Sequence, residues 1–384
     1  MRVLFTFIGG IGHFRPLVPL ASAVVAAGHT VAVAAAPDRR AAVEAAGFTA
    51  VPVGAGRAER AQVGPLLAPD RERDALELRD GFARRGAAER VPLYLDLFTR
   101  WRPDVVVCEE VDFGSVLAAE ELGLPYANAQ VIASGAFVRP EVIGEALGEL
   151  RAGLGLPPDP DLVMLRRHLV VSPFPPSFRD PAFPLPDTAF PIRPPVGPEG
   201  RSDRPTVYFT LGTEFNTESG DLFSRVLAGL DDLRVDVVAT VGEHVDPAAF
   251  GPRRPGVRVE RFVPQDSVLP HCDLVVSHGG SGSVMGALAH GLPSVLLPLG
   301  ADQPQNAEQC ARLGVGRALD PVAATPHDVR TAVAQVLADP GYRQEARRLR
   351  AEMLDLPEPA RAVPLLERLA ASATRSGRGG PSAR

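Results

Sequence analysis

The run Asp273-Leu-Val-Val-Ser-His-Gly-Gly-Ser-Gly-Ser283 restricts what this chain can fold into more than any other. Leu274 to Val276 are apolar without a break and rich in β-branched residues, the pattern of a strand covered on both faces. His278 then opens a turn of small residues, Gly279, Gly280, Ser281, Gly282 and Ser283, in which backbone N–H groups at the start of a helix can approach a ligand closely. Those amides, the helix dipole and the two serine hydroxyls favour an anion such as phosphate. The helix runs from Val284 to His290 and stops at Gly291-Leu-Pro293, a C-cap glycine with a proline beyond it. A second apolar strand, from Ser294 to Leu297, leads to Asp302 and Gln303, an acid and an amide at the same end of the sheet. In an open parallel α/β sheet ligands sit at the carboxyl ends of the strands, so these side chains converge on one crevice. Phosphate contacts beside hydroxyl-binding groups describe a sugar nucleotide.

The same strand-then-glycine pattern recurs at the amino terminus and in mid-chain. Arg2 to Ile8 predicts a strand, about Phe14 to Ala27 a helix, and Thr30 to Ala35 a second strand. Asp104 to Cys108 predicts another strand after Pro103, followed by a helix over Gly114 to Leu122 and a strand near Tyr126 to Gln130. Residues 56 to 100 are charged and helical in pattern, interrupted by Gly81 and Gly86, which predicts a lid or insertion with a poor core. From Ser172 to Pro205 prolines are so frequent that no regular ladder is expected, and the stretch reads as an interdomain connection. A fresh domain begins at Thr206-Val-Tyr-Phe-Thr-Leu-Gly-Thr213.

Composition narrows the function classes. A net charge of -6 over 384 residues gives no basic footprint for nucleic acid. Every one of the 40 basic residues is arginine, which points to a GC-rich bacterial genome. Three scattered cysteines, Cys108, Cys272 and Cys310, fit neither a disulfide framework nor a zinc site and suit a reducing, cytoplasmic compartment. The amino-terminal apolar run is too short for a signal peptide, and no segment has the length of a membrane span.

The first domain offers the candidate base. His13 ends the turn Gly9-Gly-Ile-Gly-His13 after the first strand; a dinucleotide fingerprint would need a third glycine where Arg15 stands, so a Rossmann cofactor site is disfavoured. Imidazole titrates near working pH and suits removal of a proton from a hydroxyl. A carboxylate on its other nitrogen would fix the tautomer; Glu109, Glu110 and Asp112 all follow the strand from Asp104 to Cys108, and each alone could equally face a helix N-terminus.

Phe262-Val-Pro-Gln265, the His278-Gly-Gly turn and Asp302-Gln303, in this order and spacing, resemble the nucleotide-binding signature of the family 1 nucleotide-sugar glycosyltransferases of the GT-B fold. The likeness is to the bacterial branch that modifies antibiotics and polyketides, and extends to about residue 370. It implies an α/β chain of two Rossmann-like domains facing each other across a cleft. The expected boundaries are an acceptor-binding domain over 1–192, a proline-rich linker over 193–204, a donor-binding domain over 205–355, a C-terminal helix over 356–371 packing back on the first domain, and a disordered tail over 372–384. His13 would be the general base, with Glu109 or Asp112 as its carboxylate. Thr213, Phe262, Val263, Gln265, the turn from His278 to Ser283, Asp302 and Gln303 would hold the donor.

Plant members that use uridine donors carry a glutamate three residues after the serine matching Ser283, and here that position is Gly286. Loss of that carboxylate suits a thymidine diphosphate (TDP) sugar, often a deoxysugar. The implied reaction is metal-free, inverting transfer of a sugar to a hydroxyl of a hydrophobic aglycone, with no cofactor. The aglycone itself is not legible, and its lining is expected from segments near 55–100 and 131–150. Two other readings stay open on the sequence, a sugar-nucleotide epimerase and a non-catalytic helper of another glycosyltransferase. So does a homodimer.

Overall fold

A computed structural model describes residues 1–56, 63–200 and 204–376, so parts of the expected lid, linker and tail lie outside the described residues. Alternation of apolar strands with amphipathic helices builds two parallel sheets in succession. The first contains β1 (Arg2–Thr6), β2 (Thr30–Ala35), β3 (Thr49–Pro52), β4 (Val105–Glu109), β5 (Tyr126–Ala129), β6 (Leu169–Ser172) and β7 (Ala189–Pro191). The second contains β8 (Thr206–Thr210), β9 (Asp236–Thr240), β10 (Val257–Glu260), β11 (Leu274–Ser277), β12 (Ser294–Leu296) and β13 (Gly316–Ala318).

The order in the first sheet is β3-β2-β1-β4-β5-β6-β7 and in the second β10-β9-β8-β11-β12-β13, with parallel pairing throughout. Strand order therefore reverses between β1 and β4 in one sheet and between β8 and β11 in the other. Those are the switch points at which a parallel sheet opens a crevice. Val3, Leu4, Phe5 and Val105 to Val107 are fully buried, as are Val207, Phe209, Leu274 and Val276, so each sheet has its own core.

The helices of the first unit are α1 (Ile11–Phe14), α2 (Val18–Ala26), α3 (Arg40–Ala45), α4 (Arg71–Leu76), α5 (Ala87–Trp101), α6 (Phe113–Glu121) and α7 (Pro140–Gly153). Those of the second are α8 (Leu222–Asp231), α9 (Gln265–Val268), α10 (Ser281–Ala289), α11 (Gln303–Arg312), α12 (Pro326–Ala338) and α13 (Pro340–Asp355). The last helix, α14 (Val363–Ser376), follows a short turn and returns to the first core through Val363 and Leu366; His29 Nε2 lies 2.8 Å from Glu367. It continues to Ser376, beyond the start expected for the tail.

Local chemistry explains where the structure departs from the sequence expectations. The single helix expected from Phe14 to Ala27 is broken into α1, a 3₁₀ turn at Arg15–Leu17 and α2, because Pro16 and Pro19 remove backbone donors. The proline-rich stretch does carry a ladder: Ala189–Pro191 pairs with β6 at the sheet edge, where the missing N–H of Pro191 faces no neighbour. The segment expected to have a poor core ends in α5, which buries Val91, Tyr94, Leu97 and Phe98 in the first core. Between α4 and α5 lies a ten-residue π-helix, Glu77–Gly86.

Candidate active site

His13 reaches the switch point because the chain turns sharply after β1. Gly9 takes φ of 91°, a conformation costly for other residues, and His13 N–H bonds to Gly10 carbonyl at 3.0 Å. Its Nδ1 lies 3.1 Å from Glu109 Oε1, which leaves Nε2 as the ring nitrogen able to take a proton. Glu109 is the last residue of β4 and has no exposed surface. The Val111 amide donates to its Oε1 at 3.0 Å and the Ile8 amide to its Oε2 at 3.4 Å. Burial disfavours the imidazolium, yet Glu109 at hydrogen-bond distance, helped by Asp302 and Glu214, raises the His13 pKa above its ordinary 6.5.

The two other carboxylates go elsewhere. Asp112, expected as a catalytic candidate, is buried and accepts a 2.5 Å bond from Tyr94 Oη, close to Arg90, with no contact to His13. The chain turns after β4, which aims Asp112 at α5 rather than at the cleft. Burial raises its pKa against the pull of Arg90 and Tyr94. Glu110 accepts from the amides of Val131 and Ile132, each at 3.0 Å, and burial lifts it to about 7 despite Arg179. It pins the loop after β5.

Across the cleft, Gly280 is the N-cap of α10, and Gly282 faces open space with no atom near where a side chain would start. Ser283 is buried, and Gly279 takes φ of 87°. His278 is packed edgewise among glycines: a Cβ at Gly280 would lie 2.6 Å from its Nε2, and one at Gly212 2.8 Å from the same atom. Burial lowers its pKa to about 4, so it is neutral, and its Nδ1 has no partner among the described residues. In that state His278 offers an N–H rather than a charge.

Two further expectations change. Ser281 does not hold its hydroxyl free for phosphate: its Oγ accepts from the Ala133 amide of the first domain at 2.9 Å and donates to Asp302 Oδ2 at 2.5 Å. Gln303 is buried, and its Oε1 accepts from the amides of Leu299 and Gly300, at 2.7 and 3.3 Å, so that end of the side chain supports the loop before α11. Asp302 remains at the cleft, beside Ala301 with φ of 54°.

Thr213 is exposed in the turn after β8. Phe262, 53% exposed, stands at the rim above Val263, which packs against the core under α10. Gln265 starts α9, and its Oε1 would be 3.1 Å from a Cβ at Gly286, so the two positions expected to read the nucleoside are adjacent.

Three residues went unnoticed in the sequence. Asn306, fully buried, donates through Nδ2 to Gly279 carbonyl at 3.0 Å, Ser281 Oγ at 3.1 Å and Asp302 Oδ2 at 2.8 Å, tying the glycine turn to the Asp302 turn. Its spacing of one helical turn from Asp302 was the available signal. Glu214 reaches from the second domain to the first, where a side chain at Gly10 would overlap its carboxylate. Asp74, on α4, lies against Gly300. Nothing local marks the last two.

Both segments expected to line the acceptor side meet at one cavity of about 150 Å³, through Arg71 and Ala75 and through Ala136, Phe137 and Arg139, with Gln305 and Glu308 opposite. Among the described residues no helix is long and apolar enough to cross a membrane.

Known proteins share this architecture. Residues 224–369 match the family of the erythromycin biosynthesis protein CIII-like C-terminal domain. The chain is 33% identical to the TDP-daunosamine transferase DnrS of Streptomyces peucetius, across 97% of each. It is 32% identical to the tylactone mycaminosyltransferase of Streptomyces fradiae, across 97% of this chain and 93% of that protein. Among solved structures, spinosyn rhamnosyltransferase SpnG complexed with thymidine diphosphate superimposes with a TM-score of 0.79 at 25% identity, covering 96% of this chain and all of that one.

Proposed function

Because this chain belongs to the family 1 GT-B nucleotide-sugar glycosyltransferases, in the branch that modifies antibiotics and polyketides, we propose that it moves a deoxysugar from a TDP donor to a hydroxyl of a polyketide-type aglycone. The chain is a glycosyltransferase; the epimerase and helper readings are not favoured, since its whole-length relatives are sugar transferases. One observation carries the chemistry: the buried Glu109 holds His13 by Nδ1 at the switch point that faces the glycine turn and Asp302.

In the proposed reaction the acceptor hydroxyl loses its proton to His13 Nε2 as its oxygen attacks the anomeric carbon from the side opposite the diphosphate. The new C–O bond forms as the bond to the diphosphate breaks, so the anomeric configuration inverts. Glu109 stabilises the imidazolium that results. The leaving diphosphate is met by the amides at the start of α10, the neutral N–H of His278 and the hydroxyls of Ser283 and Thr213, fixed dipoles aimed where negative charge develops. The proposed mechanism calls for no metal ion, because these fixed dipoles stand where the charge of the leaving diphosphate develops. Both halves of the site come from one chain, so no step needs a second copy. Three free, buried cysteines accord with a cytoplasmic location.

Donor choice follows from the wall beside Gln265. With glycine at 286 there is no carboxylate for a ribose 2′-hydroxyl, whereas such a group would favour uridine by a charge-assisted bond worth about 1.5–3 kcal/mol. Calorimetric titration should show TDP binding at least as tightly as uridine diphosphate, and Gly286→Glu, which requires Gln265 to swing aside, should move the balance toward uridine. A clear uridine preference in the unmodified protein would overturn the donor assignment. Incubation with TDP-deoxysugars and polyketide aglycones should give a product of inverted anomeric configuration by proton coupling; retention would remove the single displacement.

A further inference from the structure

The glycines of the turn that carries His13 are not alike. Gly9 needs its φ of 91°, and a Cβ on Gly12 would meet no atom within 4 Å. Gly10 has φ of -82° and ψ of 176°, extended backbone that any residue adopts, so its conformation does not ask for glycine. What fills the space is Glu214 of the other domain: its Cγ lies 3.0 Å and its Cδ 2.9 Å from where a Cβ of Gly10 would stand. The Gly10 carbonyl accepts the His13 amide at 3.0 Å, and the His13 ring folds back over Gly9, its Nε2 3.4 Å from a Cβ there. Glu214 therefore bears on the residue that anchors the base. It stands in the turn after β8, beside Thr213, and its Oε1 lies 3.7 Å from Nη2 of Arg39 in the short turn after β2.

We propose that Glu214 is a positioning residue for His13 supplied across the cleft: seated on Gly10 and tied to Arg39, its carboxylate steadies the imidazolium and links the strength of the base to the approach of the two domains. This rests on the reading of His13 as the general base. His13 faces Glu109 from β4, Asp302 from the turn before α11 and Glu214 from the turn after β8. Burial depresses its pKa, and Glu109 foremost, then Asp302 and Glu214, raise it by more than that loss. Arg39 faces Glu214 and, at 3.5 Å, its own neighbour Asp38. As a clasp alone, an ion pair of this length between partly solvated groups holds two domains weakly. A clasp also gives no reason for an acid packed on the catalytic turn, in the space of a side chain that Gly10 lacks. Glu109 belongs to the same domain as His13 and is always present, whereas Glu214 arrives with the other domain.

The titration of His13 is followed by NMR, through the Cε1–H signal lost in His13→Gln, in wild type, Glu214→Gln, Glu214→Ala, Gly10→Ala and the double variant Gly10→Ala/Glu214→Ala. The midpoint should lie above 6.5 in wild type and fall in Glu214→Gln, which keeps the size of the side chain and loses its charge. Gly10→Ala should lower it likewise by pushing the carboxylate off, yet add no further shift once Glu214 is alanine, the pattern of two residues coupled by contact. A midpoint unmoved by Glu214→Gln, the mark of a mere clasp even if the melting temperature falls, overturns the proposal. So does a midpoint that Gly10→Ala leaves in place, or lowers equally in both backgrounds. Full turnover by His13→Ala, with a TDP-deoxysugar and an accepted aglycone, would instead strike down the base reading, a result the titration cannot produce.

Discussion

Glu109→Gln tests the dyad most directly, because the carboxylate has few contacts and each is defined. It receives His13 Nδ1 at 3.1 Å, the Val111 amide at 3.0 Å and the Ile8 amide at 3.4 Å, and has no exposed surface of its own. Glutamine keeps the length and one acceptor oxygen but loses the charge that steadies the imidazolium in the transition state. A hydrogen bond to a charged group is worth about 1.5–3 kcal/mol, so kcat/KM should fall about 10- to 150-fold. The pH profile gives an independent sign. The base works when His13 is neutral, and Glu109 raises the pKa of His13, so in wild type the acid limb lies above pH 6.5. Without the carboxylate the opposing effect of burial remains, and the limb must move to lower pH. Initial rates across pH with a TDP-deoxysugar and an accepted aglycone, on protein checked for its melting temperature, measure both quantities. His13→Ala sets the floor, at about a hundredfold loss or more. Asp112→Asn, off the dyad, should leave the limb in place. A loss under about threefold for Glu109→Gln, or an unmoved acid limb, would refute the reasoning.

The histidine of the phosphate turn should make the fold acid-sensitive. His278 has a pKa of about 4 when folded and 6.5 when not, so the unfolded chain binds the proton first and stability falls as pH drops through that window. Between about pH 7 and 5 this one group should cost about 2 kcal/mol, and denaturant titration of His278→Gln should show a correspondingly shallower pH dependence; equal slopes would contradict the burial argument. Saturating EDTA should leave the initial rate unchanged, and a loss restored by magnesium or manganese would show that the helix amides and His278 do not suffice for the leaving diphosphate.

What the sequence revealed and what it concealed divide along physical lines. Leu274 to Val276 and Val3 to Phe5 were legible as buried parallel strands because both faces are apolar, and the glycines after them marked the turns, although the first strand ends at Thr6, short of the expected Ile8. His13 followed from position after a strand. Which acid would serve it was not legible, because that depends on how the chain turns after Glu109: one residue on, Glu110 is taken by two amides, and three on, Asp112 is taken by Tyr94. Residue type alone could not separate Ser281 from Ser283, since the partner that claims Ser281 is an amide from the other domain. Pro191 misled because proline opposes a ladder only where its missing donor faces another strand. Asp74 and Glu214 act across the cleft, and no local pattern carries such contacts.

The anchoring of Glu109 has a consequence for how such a chain can diversify. Everything that fixes the base, the turn after β1, the end of β4 and the amides of Ile8 and Val111, belongs to two adjacent strand ends. The segments at the cavity, from Arg71 to Ala75 and from Ala136 to Arg139, contribute none of those bonds. On the proposed reading, acceptor fit and reactivity therefore rest on different segments, so residues of α4 and of the loop before α7 at the cavity could change without touching the bonds that hold His13.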